Sequence, residues 1–274
     1  MKALILCADD FAAHEAASQG IAQLAAMGRI SATSAMVLSP RWATEAAMLK
    51  PLRERIDVGL HLDWTSEFAI AAGHGLSLGA AMIRAVLGGF DSVAARAQIE
   101  QQLDAFEAHW GAPPDHVDGH QHVQQFAGIR KALVDALAAR YPAAPPYLRI
   151  SRVPPLQADL KSRIITAMGA GALEKIAGDA GVPRAGMLSG IYDFTGDAAR
   201  YAREMAAWLD STPAGAIIMC HPALRAEPGD GIGAARAQEF AYLSSDDFPL
   251  ALARAGVTLA RGRTVKFAGE QIPD

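Results

Sequence analysis

Four stretches of this sequence carry side chains able to hold a divalent cation and move protons: Asp9-Asp10, His61, His116-Val-Asp118-Gly-His120-Gln-His122, and His221-Pro222. One Asp with two His is a donor set that binds a divalent ion and leaves positions open for water. Two adjacent acids at the mouth of an apolar strand repel each other and are costly to desolvate, so a positive group belongs beside them. Each stretch also has a plainer use. One Asp can cap the next helix while the other is solvated. A single His beside an apolar strand, such as His61, is more often a hydrogen-bonded core residue than a ligand. His14, His74 and His109 fall on helix or loop surfaces and read as solvated. The joint placement of the four stretches is what favours a metal site over coincidence.

The elements that must position them follow from hydrophobic pattern. Ala3 to Ala8 is an apolar run of strand type, ending in the two acids. Helical spacing marks 14–27 (closed by Gly28), 42–49, 76–87, 98–110, 129–141, 197–209, 234–243 and 246–255. Strands are expected at 32–38, 56–62, 115–118, 147–150, 214–220 and 257–259. The stretch 63–75 reads as a loop, and 154–187 holds one or two short helices without clear organisation. In the cluster from His116 to His122, a period of two puts all four polar residues on one strand face, with Gly119 placed to break the strand. Alternating strands and helices imply a parallel sheet. Short strands and many helices favour an α/β fold with a single domain over 1–274, an irregular TIM-barrel-like (β/α) barrel in which strand C-terminal ends share one face. The first strand is followed by neither a glycine-rich dinucleotide turn nor a phosphate loop.

Composition narrows the partners. The 274 residues are 51% hydrophobic with a formal net charge of −4, which supplies a large core and no basic field for nucleic acid. The two cysteines, Cys7 and Cys220, end predicted strands and read as buried free thiols suited to a reducing compartment. No run approaches a transmembrane span of about 20 residues. A cytoplasmic protein is expected, and a homodimer is left open.

Ala8-Asp-Asp-Phe11, Val58-Gly-Leu-His61, His116-Val-Asp-Gly-His-Gln-His122 and Cys220-His-Pro222 resemble the YdjC-like family of carbohydrate deacetylases, which includes chitooligosaccharide deacetylases and a branch linked to hopanoid synthesis. The resemblance runs from Ala3 to about Ser244, where Arg236, Glu239 and Leu243-Ser244 echo the family's pattern. It implies a barrel related to polysaccharide deacetylases, one divalent ion (Zn or Mg), and hydrolysis of an N-acetyl group from an amino sugar on an oligosaccharide or glycolipid. Carried over by position, Asp10, His61 and His120 are metal ligands, Asp9 the catalytic base and His221 the acid. Departures from the family pattern are Ala12 for Gly, Ser18 for Asn and Gln124 for His; none removes a ligand.

Around that set, Arg149 either orients Asp9 or forms a structural salt bridge, and His122 and Asp118 are candidates for holding ligand tautomers. Trp64 either stacks on a sugar ring or plugs the barrel mouth. Two other classes stay open: another single-metal amidohydrolase on the same barrel, and a non-catalytic sugar- or metabolite-binding protein.

Overall fold

A computed structural model describes residues 1–267. The chain begins with β1 (Lys2–Phe11), α1 (Glu15–Ala26), β2 (Ala32–Ala35), α2 (Trp42–Leu49) and β3 (Asp57–Leu62). Three helices follow, α3 (Glu67–Ala71), α4 (Leu78–Leu87) and α5 (Ser92–Trp110), then β4 (His116–Gly119), α6 (Ile129–Arg140) and β5 (Tyr147–Arg149). The remainder is α7 (Leu160–Ala167), α8 (Ala170–Asp179), β6 (Arg184–Ala185), β7 (Leu188–Ser189), α9 (Ala198–Ser211), β8 (Ile217–Cys220), α10 (Gly233–Ser244), α11 (Asp247–Arg254) and β9 (Val257–Leu259).

The sheet order is β6-β5-β4-β3-β2-β1-β8-β7, with β9 paired to the start of β1, and every pairing is parallel. The two outermost strands are one passage of chain. Only Gly186 and Met187 separate β6, which pairs β5, from β7, which pairs β8. That passage bridges both edges and makes a nearly closed barrel ringed by helices. The expected barrel is present. The segment 63–75 is not all loop, because α3 lies within it. It is capped by Ser66, and the turn leading into it is held by the buried Asp63, whose Oδ1 accepts from the amides of Thr65 and Ser66.

Period-two alternation divides each strand between two cores. Leu4, Leu6 and Ala8 point outward into the large core beneath the helices, together with Trp42 and Phe106, whose rings stack at 5.3 Å. Ile5 and Cys7 point into the barrel, where they pack with Ala32, Tyr147, Ala185, Ile217 and Met219. The barrel interior is tight at Gly59: a Cβ there would lie 2.4 Å from the His116 ring. Cys7 and Cys220 are buried and free, as expected.

Register aligns the polar residues above that apolar plug. His61 pairs with Asp118, and Val117 with Leu148, which brings the next residue, Arg149, level with Asp118. At the end of β1 the register shifts between Ala8 and Phe11. Asp10 sits there at φ 67. A bulge with a left-handed Asp re-aims the strand, so two consecutive residues serve one site instead of opposite faces.

Candidate metal centre at the barrel mouth

Asp10, His61 and His120 each direct a ligand atom to a common point, all within 4.8 Å of one another. Asp10 Oδ1 lies 3.3 Å from His61 Nε2 and 3.1 Å from His120 Nδ1. The other imidazole nitrogen of His61, Nδ1, is 2.6 Å from Asp118 Oδ1. A carboxylate on the far nitrogen fixes the tautomer and turns Nε2 toward an ion, as in carboxylate–histidine–metal arrangements. The donor set therefore fits one divalent cation. Arg236 Nη2 donates to the remaining oxygen of Asp10 at 2.7 Å. Burial works to raise the pKa of Asp10; Arg236, then His120 and His61, more than offset it and hold the carboxyl well below its usual range. Burial also works against charge on His61, yet Asp118, Asp9 and Asp10 together push it up to about 10. This is an imidazole placed where positive charge is favoured.

Asp9 lies beside this set. Its Oδ1 accepts from Arg149 Nη1 at 2.8 Å and from Ser34 Oγ at 3.2 Å. Arg149 is fully buried and also lies 3.0 Å from Asp118 Oδ2. It is thus the positive group beside Asp9, shared with the buried Asp118, while Arg236 serves the adjacent Asp10. Burial tends to raise the pKa of Asp9, and Arg149 outweighs it, so the carboxyl stays below the ordinary carboxylate value.

His221 approaches from β8, its Nε2 3.9 Å from Asp9 Oδ2. Burial pushes its pKa down to about 4 despite Asp9 and Asp10, so it rests neutral. It is held by α10. Glu239 Oε2 accepts the His221 amide at 2.5 Å, and Glu239 Oε1 accepts the Tyr192 hydroxyl at 2.6 Å. Arg236 and Glu239 are three apart on one helix face and grip the ends of β1 and β8 together. Burial raises the Glu239 carboxyl to about 7. Glu239→Ala would strand two buried donors at about 1–3 kcal/mol each, so its unfolding free energy in urea should fall by at least about 2 kcal/mol. Glu239→Gln, still able to accept from the amide, should lose less, and equal losses would mean that the hydrogen bonds are not what matters.

These groups form the floor of a cleft of about 950 Å³. Its walls are largely apolar, including Phe126, Leu160, Ile164, Met168 and Phe194. Phe194 sits edge-on to His221 at 5.2 Å between ring centres.

The structure brings Asp9, Asp10, His61, His120, His122, Arg149 and His221 to this cleft, with Asp118 buried behind it. Trp64 is elsewhere: it is 2% exposed and packs against His74 and Phe90, so its ring has no free face for a sugar. The one-face expectation for His116 to His122 is corrected. The strand stops at Gly119, His116 stays below in the barrel stacked on Tyr147, and His120 and His122 leave on the kinked segment His120–Gln125, left-handed at Gln121 and His122. His122 meets Ser151 and not a ligand histidine. His14 and His74 are not simply solvated: His14 caps α1 and lies 3.3 Å from Asp230, and His74 covers Trp64. Ser34, Ser151, Tyr192 and Asp230 carry no pattern in sequence that would have marked them.

Fold and site together define a parallel barrel with a mononuclear two-histidine, one-carboxylate candidate centre at its C-terminal mouth. The YdjC-like protein family matches residues 3–254, and the chain belongs to that family. A human carbohydrate deacetylase is 29% identical over 148 residues, 50% of this chain and 45% of the relative. A chitooligosaccharide deacetylase of Yersinia pestis is 32% identical over 157 residues, 55% of this chain and 60% of the relative. In these alignments the chain spans about half the length of the curated relatives it matches. Among solved structures, a protein of Enterococcus faecalis V583, provisionally assigned to cellobiose-phosphate cleavage, superposes with a TM-score of 0.71 at 20% identity. That match covers 96% of this chain and 98% of the other, and it supports the fold.

Proposed function

We propose that the chain is a metal-dependent carbohydrate deacetylase that hydrolyses an N-acetyl group on an amino sugar. The observation that carries this reading is the convergence of Asp10, His61 and His120, with the unligated Asp9 beside them and His221 across the cleft. Asp10, His61 and His120 would hold a divalent ion, which when bound would supply a more acidic water and Lewis-acid polarisation of the acetyl carbonyl. Asp9, kept ionised by Arg149, accepts the water's proton. His221 protonates the departing amine, which cannot leave as an anion. Because His221 rests neutral, the proton it delivers has to be acquired during the reaction, and Asp9 at 3.9 Å is its nearest source.

Deacetylase names among the relatives support the reaction class. The apolar walls support a sugar carrying an apolar aglycone, such as a glycolipid headgroup, over a long free oligosaccharide. No described helix is long and apolar enough to cross a membrane.

The test is acetate release by metal-reconstituted protein from a panel of N-acetylated oligosaccharides and glycolipid headgroups. Release that is faster from the lipid-linked members is expected. Full ion content with no acetate from any member would overturn the deacetylase reading and leave a binding protein.

A further inference from the structure

Next to the centre, Gln121 and His122 occupy the left-handed region in succession, at φ 53 and φ 63. Neither is glycine, and consecutive left-handed residues persist only where the surroundings hold them. What holds His122 is a relay of hydrogen bonds. Gln124 Nε2 donates to the Arg149 carbonyl at 3.2 Å and to Ser151 Oγ at 3.1 Å. The carbonyl can only accept, so the amide edge facing it must be the NH₂ group. Ser151 is fully buried, and its Oγ lies 3.0 Å from His122 Nδ1. Having accepted from Gln124, the hydroxyl has its own proton to place, and among the described residues its only acceptor is that Nδ1. A proton donated to Nδ1 leaves the ring proton on Nε2. Among the described residues Nε2 has no hydrogen-bond partner, and His122 lines the catalytic cleft.

We infer that His122 is a substrate-binding donor: the Gln124–Ser151 relay fixes its Nε2–H tautomer, and that N–H takes an acceptor oxygen of the acetylated sugar. The substrate half of this inference rests on the deacetylase reading; the tautomer half does not. Gln124 and Ser151 act only through His122 and are positioning residues. The acceptor is the acetyl oxygen or a sugar hydroxyl, and kinetics separates them. An acetyl oxygen gains charge during reaction, so losing its donor lowers kcat, whereas losing a donor to a hydroxyl raises KM.

The experiment is a two-bond ¹H–¹⁵N correlation spectrum of the imidazoles in zinc- or magnesium-loaded protein, without substrate. The His122 signal is identified as the one of eight histidines lost in His122→Asn. Asn suits the left-handed backbone and is too short to replace the donor. The wild type should show Nε2–H, Ser151→Thr should keep it, and Ser151→Ala should show a mixture of tautomers. An Nδ1–H tautomer in the wild type would overturn the relay. His122→Asn, with ion content and melting temperature retained, should lose about 2- to 10-fold in kcat or KM, the range of one neutral hydrogen bond. Unchanged kinetics in that variant would remove His122 from substrate binding even with the tautomer correct.

Discussion

Asp9→Asn should lower kcat by at least about 10²-fold, the low end of what a positioned general base contributes, with ion content at the wild-type level. The substitution keeps the shape of the side chain and removes its capacity to take a proton at neutral pH. Asp9 is not within the Asp10–His61–His120 group, so the ion should remain. The fold should survive as well, because Arg149 keeps Asp118 at 3.0 Å as a counter-charge. The loss should appear equally in kcat and kcat/KM, since the proton is accepted only on the way to the transition state. In the wild type, Arg149 holds the Asp9 pKa below the ordinary carboxylate value. The base form therefore persists down to that lowered pKa, and the rate limb due to Asp9 should lie on the acid side of an unperturbed aspartate. Acetate release and atomic-absorption metal content, measured on the same preparations, check both halves. A variant that turns over at near the wild-type rate would place the proton acceptor elsewhere.

The parts of this site that sequence exposes are those governed by short-range pattern. The apolar run of β1 announces its own strand, and the acids that end it are visible as an electrostatic problem awaiting a cation. That the cation beside Asp9 is Arg149 depends on the pairing register of β4 with β5, a tertiary fact with only a weak trace in the strand-like Tyr147–Ile150 run. The bulge at Asp10 is likewise invisible, because it arises from mismatch between β1 and its neighbour and not from the residues of β1 alone. Sequence spacing misled for His116 to His122, since a period of two holds only while the strand lasts, and this one ends at Gly119. The passage through β6 and β7 was unreadable for a different reason. Two residues on each side of Gly186-Met187 are too few to display any period, although they complete the barrel. Arg236 and Glu239 share a helix face that spacing does reveal, but spacing cannot say that this face meets the ends of β1 and β8.

The second large effect is expected at His61, and it separates ligation from orientation. His61→Ala removes a ligand and should leave protein that neither retains a stoichiometric ion through gel filtration nor releases acetate, even when the assay contains excess zinc or magnesium. Asp118→Asn keeps every ligand but takes away the charge on His61 Nδ1, 2.6 Å away. Loss of such a partner weakens metal affinity by about 10–100-fold. Its activity should therefore be low at limiting metal and recover as metal is raised, whereas the His61→Ala rate stays flat across the same titration. Asp118 also lies 3.0 Å from Arg149 and accepts from Ser34 at 3.0 Å, so part of any residual deficit at saturating metal reports the loosened hold on Asp9. Full ion retention by His61→Ala would move the centre off Asp10, His61 and His120. Those residues would then be a hydrogen-bonded cluster, and the proton chemistry assigned to Asp9 and His221 would have no ion to act beside.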